Sequence, residues 1–259
     1  MSILDRYDRD GVAHLTMMTP KTLNVLSDEM ISALQSQFDA LQSDDDIRAV
    51  ILSAQGSAFC AGHDLKQISE HRQSKDQGAS YFSDLFKRCA KMMTSITDLP
   101  QPLIAQVQGV ATAAGCQLVA SCDIVIASTA AKFGVNGVNI GLFCSTPAVA
   151  LSRTISRKHA FEMLTTGCFI DAHRAEALGL VNRVVQPEQL AEETLDIAST
   201  VAGKLASAVT VGKQAFYQQL SLSVEEAYSY SSDIMKRNMM NQDTEEGIAA
   251  FLEKRPPNW

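Results

Sequence analysis

The sequence predicts an α/β fold whose later part is helical. Short apolar runs typical of strands alternate with helical patterns over most of the chain, and from about residue 186 helical patterns dominate. The 259 residues suffice for one large domain or two small ones. We place a core over residues 1–200 and a helical region over residues 201–259.

The first predicted elements are a strand, a turn and a helix. Val12–Met17 predicts a strand that ends before the turn at Pro20. Ser27 is the predicted N-cap, with Asp28 and Glu29 in the first turn, where acidic residues are favoured. Apolar residues then recur at helical spacing, at Met30, Ile31, Leu34, Phe38 and Leu41.

Three later apolar runs predict buried strands, at Arg48–Ser53, Leu103–Val107 and Ile124–Ala127. They alternate little, as expected for strands covered on both faces. The polar stretch Ser69–Ser80 predicts a mobile surface segment, followed by a helix that ends near Pro100. Near the C-terminus we predict a capping box at residues 223–226 and a last helix after residue 244, running through residue 254.

Composition excludes several function classes. The net charge is −7 and no Lys/Arg run exceeds two residues, so no nucleic-acid partner is expected, and a phosphate-bearing ligand would need local basic residues. No apolar run reaches the roughly 18 residues of a membrane span, and no signal-peptide-like segment is evident. The six cysteines form no CxxC pair, which predicts reduced, mostly buried thiols and no metal site. We expect a cytosolic protein.

Two glycine-containing segments form the candidate site. In 58–66, Gly62 allows a turn that can aim the backbone N–H of His63 inward. In 107–118, a strand ending at Gly109 runs into a helix of small residues that can aim the N–H of Ala114 at the same point. Two such donors on one oxygen stabilise an enolate or tetrahedral oxyanion, at roughly 3–4 kcal/mol each. Either segment alone is weak evidence for a site, because glycine turns after strands are common and usually have a structural role.

Together and in this order, the two segments resemble the oxyanion-hole segments of the enoyl-CoA hydratase/isomerase (crotonase) family. The turn Pro20–Ser27, the segment Ala177–Val185 and the helix Glu246–Arg255 resemble further family features, so the likeness covers nearly the whole chain. The strings 62–66, 113–123 and 139–147 are most similar to the mitochondrial enoyl-CoA hydratase-domain-containing subgroup.

The resemblance implies a crotonase-like spiral of strand–strand–helix repeats with a helical C-terminal trimerisation region. It implies a trimer or a dimer of trimers, and an acyl-CoA thioester as ligand with no further cofactor. The thioester oxygen would lie between the amides of His63 and Ala114. The implied CoA contacts, with the last two contributed across a subunit boundary, are Lys21, Leu23, Ala61, His63, Asp64, Leu65, Lys66, Phe251 and Lys254.

The sequence departs from the family where catalytic carboxylates are expected. The two hydratase glutamates fall on Gln117 and Gly137, and a third carboxylate position of some relatives falls on Ser145. Hydration needs an acid and a base, each worth about 10²–10⁴-fold, and an amide at Gln117 holds water without taking its proton. We therefore predict no two-glutamate hydration, and we expect glutamates restored at both positions to test the rest of the site.

Several functions stay open at this point. One is an enzyme of the hydratase/isomerase type, acting as lyase or isomerase. Another is decarboxylation or thioester hydrolysis in which Gln117, Asn136 or Ser145 positions a group, or in which Cys144 and Ser145 act as nucleophiles rather than packing residues. A third is a non-catalytic acyl-CoA-binding or regulatory protein. Asp64 is either a replacement base or, as we favour, a structural carboxylate.

Overall fold

The computed structural model describes residues 2–258. The strands in this range are β1 (Leu4–Arg9), β2 (Val12–Met17), β3 (Ala49–Ala54), β4 (Ala58–Cys60), β5 (Leu103–Val107), β6 (Val110–Thr112), β7 (Ile124–Ser128), β8 (Lys132–Gly134), β9 (Ile170–Asp171) and β10 (Arg183–Val185). The α-helices are α1 (Asp28–Leu41), α2 (Leu65–His71), α3 (Ala79–Asp98), α4 (Ala114–Ser121), α5 (Ser145–Thr154), α6 (Arg157–Thr166), α7 (Ala172–Leu178), α8 (Leu190–Ala202), α9 (Ala206–Gln219), α10 (Val224–Met239) and α11 (Gln242–Glu253). Short 3₁₀ helices cover Pro20–Thr22, Asn136–Ile140 and Pro187–Gln189.

The strands form two sheets. The larger has the order β1-β2-β3-β5-β7-β10 and is parallel except for the antiparallel pair β1–β2. The smaller has the order β4-β6-β8-β9, with β8–β9 antiparallel. The successive pairs β3/β4, β5/β6 and β7/β8 each place one strand in each sheet before the chain continues into helices. This repetition is the predicted strand–strand–helix spiral, and the α/β fold class is confirmed.

The central strands of the larger sheet, β3, β5 and β7, are buried on both faces. Val50 points into the main core, whereas its neighbour Ile51 points to the other face. There Ile51 and Ile104 pack with Leu190 and Ala198 of α8, forming a second, smaller core. Because β3, β5 and β7 are covered on both faces, both residue parities of these central strands are apolar, which explains the weak alternation of these runs.

The predicted start of α1 is confirmed in detail. Ser27 is the N-cap, and its Oγ accepts a hydrogen bond from the backbone N–H of Met30 at 3.2 Å. The capping box at Ser223 and Glu226, which begins α10, is also present. The buried face of α1 consists of the five residues predicted from their spacing, Met30, Ile31, Leu34, Phe38 and Leu41.

Other boundaries were predicted wrongly. The predicted strand to Gly109 ends at Val107, and β6 intervenes before α4. The polar stretch 69–80 is partly helical, since α2 covers its first residues and α3 its last. The last helix begins at Gln242, earlier than the predicted start after residue 244, and the side chain of Asn241 caps it. The strands of the smaller sheet have two or three residues, too few for a periodic signal.

A buried ion pair attaches α9 to the core. The Nζ of Lys213 donates to the carbonyl oxygens of Ile96 (2.8 Å) and Gln101 (2.9 Å) and to Asp123 Oδ2 (2.7 Å). The hydroxyl of Tyr217 donates to Asp123 Oδ1 at 2.7 Å. Burial lowers the pKa of Lys213, and the Asp123 carboxylate opposes that effect.

The predicted division at residue 200 falls inside α8, two residues before its end.

The described part of the chain contains no helix that is both long and apolar enough to cross a membrane. All six cysteines, which lie within it, are free, and only Cys168 is exposed. The predicted reduced and mostly buried thiols are therefore confirmed.

Candidate active site

The first candidate segment is a backbone turn held by its neighbours. Gly62 has φ +91°, a conformation that L side chains rarely adopt. Its carbonyl oxygen accepts from the N–H of Leu26 at 2.7 Å, and the N–H of Ala61 donates to the carbonyl oxygen of Leu23 at 3.0 Å. These bonds fix the orientation of the peptide that carries the His63 N–H.

The second segment is the start of α4. Ala113 precedes the helix with φ 51° and ψ −120°, and its N–H donates to the carbonyl oxygen of Gly134 at 2.9 Å. A non-glycine residue in such a conformation costs on the order of 1–3 kcal/mol, which the surrounding packing offsets. A Cβ on Gly115 would lie 2.1 Å from the carbonyl oxygen of Cys60, so only glycine allows α4 to approach β4 this closely. Ala114 is the first residue of α4, where backbone N–H groups lack helical partners.

The fold brings the two predicted amides together. A Cβ built on Gly62, the residue before His63, would lie 3.0 Å from Ala113 Cβ and 3.3 Å from Ala114 N. Within residues 2–258, neither the N–H of His63 nor that of Ala114 has a hydrogen-bond acceptor. The pair of donors predicted from two distant segments therefore lies at one place with both N–H groups unengaged.

The His63 imidazole is a half-buried group beside these donors. Both ring nitrogens are buried without a partner among residues 2–258, and the ring meets Phe86 edge to face at 5.7 Å between centroids. Burial lowers the pKa of His63, and the negative charge of Asp28 offsets part of that effect. The lowered pKa favours the uncharged form of the ring.

The two positions that correspond to the hydratase glutamates, Gln117 and Gly137, differ in the space available for a side chain. Gln117 is 5% exposed, and its Oε1 has no hydrogen-bond partner in the described range. A Cβ on Gly137 would lie 2.6 Å from the Leu142 carbonyl oxygen and 2.7 Å from Cys144 Sγ. A glutamate restored at Gly137 therefore needs the following segment to move, because that segment fills the space of the side chain.

The predicted nucleophiles lack activation. Burial raises the pKa of the Cys144 thiol, which disfavours the reactive thiolate. Ser145 is exposed at the start of α5, and its Oγ contacts only the Phe143 carbonyl oxygen, at 3.4 Å. The Oδ1 of Asn136 accepts from the Thr112 hydroxyl at 2.7 Å, which ties the 3₁₀ helix to β6.

Asp64 takes the structural role. Its Oδ1 accepts from the backbone N–H of Lys66 at 2.8 Å and caps α2. Most of the CoA contacts implied by the resemblance lie in two segments, residues 21–23 and residues 61–66. The side chains of Lys21, Leu23, Leu65 and Lys66 are exposed there. The remaining two, Phe251 and Lys254, lie exposed at the end of α11, which packs against α10.

Two amide side chains behind the site, those of Asn24 and Gln108, were not predicted from the sequence. Asn24 is fully buried, and Gln108 precedes Gly109 at the turn between β5 and β6. The available signal for Asn24 was a polar residue inside an otherwise apolar run, Leu23-Asn24-Val25-Leu26. No group of three or more potential metal ligands occurs between residues 2 and 258.

Comparison with known proteins shows which family the chain is similar to. The sequence model of the family described as enoyl-CoA hydratase/isomerase matches residues 8–259. The mitochondrial enoyl-CoA hydratase domain-containing protein 3 of Homo sapiens is 45% identical over 250 residues, covering 96% of this chain and 81% of its own.

Two crystal structures extend the likeness to three dimensions. That of an enoyl-CoA hydratase from Mycobacterium smegmatis has a TM-score of 0.96 at 48% identity and covers 100% of this chain and 99% of its own. That of human enoyl Coenzyme A hydratase domain-containing protein 3 has a TM-score of 0.95 at 43% identity, and each chain is covered over 100% of its length.

These relatives correct one expectation. The prediction of a cytosolic protein is contradicted, because the human relative, like those of mouse and frog, is named as a mitochondrial protein. The prediction had rested on the lack of a recognisable targeting segment.

Proposed function

The chain belongs to the enoyl-CoA hydratase/isomerase family, and from that premise we propose that it binds an acyl-CoA thioester and stabilises an enolate or oxyanion on it. The thioester oxygen accepts hydrogen bonds from the backbone N–H groups of His63 and Ala114. The observation that carries the proposal is the juxtaposition of these two unengaged donors at a glycine turn and a helix start. Such preorganised donors act mainly where negative charge develops, which favours an enzyme over a simple binding protein.

The reaction we propose does not use two glutamates. Gln117 orients a water molecule or an acyl substituent through its unpaired Oε1 but takes no proton. The close packing around Gly137 leaves no space for a second carboxylate side chain without movement of the loop, which supports a reaction that does not use one. The substrate contacts are the exposed groups around the turn, Lys21, Leu23 and Lys66, whose lysines supply local positive charge to a chain of net charge −7.

A non-catalytic acyl-CoA-binding or regulatory protein is the second candidate. The missing carboxylates favour it, because binding alone needs neither an acid nor a base. Thioester hydrolysis through Cys144 is less well supported, since burial raises the pKa of that thiol. In either function we propose a trimer or dimer of trimers, in which Phe251 and Lys254 of one copy cover the ligand of another.

The test removes one donor. In Ala114→Pro the backbone N–H is lost, whereas proline is compatible with the first position of a helix. We expect purified wild-type protein to bind butyryl-CoA and crotonyl-CoA. We expect the variant to convert its substrate at least 10²-fold more slowly, as for the loss of an oxyanion donor, and to bind acyl-CoA more weakly by a smaller factor. Binding is measured by titration calorimetry and conversion by mass spectrometry over a panel of enoyl-, malonyl- and saturated acyl-CoAs.

Ala206→Pro is the matched control, since it places proline at the first residue of α9, after Leu205 with φ −59° and ψ 117°, a conformation compatible with a following proline. Circular dichroism establishes that both variants are folded. Unchanged binding and conversion in folded Ala114→Pro would refute the proposed role of this amide. Rapid hydration of crotonyl-CoA by the wild type would refute the claim that hydration needs the missing glutamates.

A further inference from the structure

Asn24 is a buried amide that uses its whole hydrogen-bonding capacity. It is 0% exposed and has φ 51°, in the left-handed region that asparagine tolerates better than most residues. Its Oδ1 accepts from the N–H (3.0 Å) and the hydroxyl (3.4 Å) of Thr19. Its Nδ2 donates to the carbonyl oxygens of Gln55 and Ala58, each at 2.8 Å. These four hydrogen bonds from one side chain hold the turn at residues 19–24 rigidly against residues 55–58.

The acceptors of Asn24 lie on the chain that leads to His63. Gln55 follows β3 directly, and Ala58 is the first residue of β4, which ends two residues before Gly62. Two backbone hydrogen bonds near Asn24 join the same two segments. The carbonyl oxygen of Leu23 accepts from the N–H of Ala61 (3.0 Å), and the N–H of Leu26 donates to the carbonyl oxygen of Gly62 (2.7 Å). Segment 23–26 therefore holds segment 58–62 along its length up to the oxyanion turn.

One of these acceptors is also bound from the second oxyanion segment. The Nε2 of Gln108 donates to the carbonyl oxygen of Ala58 at 3.0 Å and to that of Gly56 at 3.1 Å. Gln108 stands between β5 and β6, and β6 leads to Ala114. The Ala58 carbonyl is thus shared by two amides, one from the turn behind His63 and one from the segment that ends at Ala114.

We propose that Asn24 is a positioning residue that sets the relative placement of the His63 and Ala114 amides through the shared Ala58 carbonyl. The inference rests on the proposed function, because it concerns how strongly the two amides polarise a bound thioester. A displacement of about 1 Å at a reacting group costs about 10²-fold in rate, so a fixed separation matters. Asn24 itself is buried behind the turn and makes no contact with the ligand.

Two substitutions test this role. Asn24→Gly keeps the tolerance for positive φ and removes all four side-chain bonds. Gln101→Ala is the matched control, since Gln101 is also a buried amide (4% exposed) whose Nε2 donates to two carbonyl oxygens, those of Leu41 (2.9 Å) and Asp44 (3.1 Å). Both variants lose stability through the same chemistry, but only Asn24 is bonded to the chain leading to the site.

The readout is the carbonyl stretch of butyryl-CoA isotope-labelled at the thioester carbonyl, measured by infrared difference spectroscopy with the ligand fully bound. Hydrogen bonds from the two amides shift this band to lower frequency. We expect the wild type and Gln101→Ala to give the same shift and Asn24→Gly to lose most of it. A full shift in Asn24→Gly would overturn the inference while leaving the proposed function in place. A bound wild-type complex without any shift would overturn the proposed function and this inference together.

If Asn24→Gly does not fold, Asn24→Asp is the variant that tests the positioning role. The neutral acid retains one O–H donor toward Gln55 or Ala58, whereas the carboxylate retains none. We expect the band shift of this variant to recover as the pH falls and to disappear as the pH rises, at constant occupancy by butyryl-CoA. A shift equal to that of the wild type at every pH would contradict the positioning role.

Discussion

At the scale of single residues, the surroundings of Gly137 limit the chemistry of the site. Its α-carbon faces the Leu142 carbonyl oxygen and the Cys144 thiol so closely that even a methyl group would collide with both. The N–H of Leu142 also donates to the carbonyl oxygen of Gly137 at 2.9 Å, which closes the loop on itself. The absent glutamate is therefore accompanied by neighbours that occupy its place, and a single substitution cannot restore it.

This packing predicts the effect of Gly137→Ala. We expect the free energy of unfolding to fall by about 1–3 kcal/mol, the usual cost of overpacking. Gly212→Ala is the control, since Gly212 lies in α9 with open space around its α-carbon, and we expect a gain of about 0.5–1 kcal/mol there. Urea denaturation measures both values. A neutral Gly137→Ala would mean that the loop relaxes freely and that a glutamate can be accommodated.

At the scale of elements, α9 is joined to the core by charge as well as by apolar contact. Asp123, at the start of β7, accepts from Lys213, from Tyr217 and from the backbone N–H of Leu103 at 2.7 Å. Removing one member of such a pair leaves the other charge buried and uncompensated, whereas removing both charges does not. The pair therefore selects one way of docking α9 more than it adds to stability.

The corresponding variants are Lys213→Met and the double variant Lys213→Met/Asp123→Asn. We expect the single variant to lose about 3–5 kcal/mol of unfolding free energy and the double variant to lose less. Chemical denaturation of both proteins gives the comparison. A double variant that is less stable than the single one would show that Asp123 is held by its other two partners rather than by the lysine charge.

At the scale of the whole molecule, apolar surface is concentrated in the C-terminal helices. Large side chains that are exposed in the single chain recur along residues 216–252, namely Phe216, Leu220, Val224, Tyr228, Met235, Met239, Met240, Ile248, Phe251 and Leu252. Exposed apolar residues in such number are typical of interaction sites in soluble proteins. It supports the self-association proposed from the family resemblance.

We expect the purified protein to sediment as a trimer or hexamer and the double variant Tyr228→Lys/Phe251→Lys to have a smaller mass. Two charges placed on a buried interface oppose association, since each loses its hydration. Leu195→Lys, an exposed apolar residue of α8 (43% exposed), serves as the control and should leave the mass unchanged. A monomeric wild type in analytical ultracentrifugation would contradict the proposed assembly.

The sequence predicted those features whose signals are local. The cap and buried face of α1, the strands β2, β3, β5 and β7 of the larger sheet and the two candidate oxyanion segments each have a pattern within a few neighbouring residues. Features that depend on distant parts of the chain were missed, such as the shared Ala58 carbonyl and the contact of Gly137 with Cys144. No pattern around Asn24 or Gly137 indicates which backbone atoms will approach them after folding.

The burial of the thiols has a consequence for how the protein responds to oxidants and alkylating reagents. Cys60 lies at the end of β4 and Cys116 in the first turn of α4, so each oxyanion segment contains one fully buried sulfur. Burial raises the pKa of both to about 12, whereas Cys168 is exposed. Reagents therefore reach Cys168 first, and modification of Cys60 or Cys116 requires the site itself to open. The rate at which these two sulfurs react thus measures how often the oxyanion segments separate in the native protein.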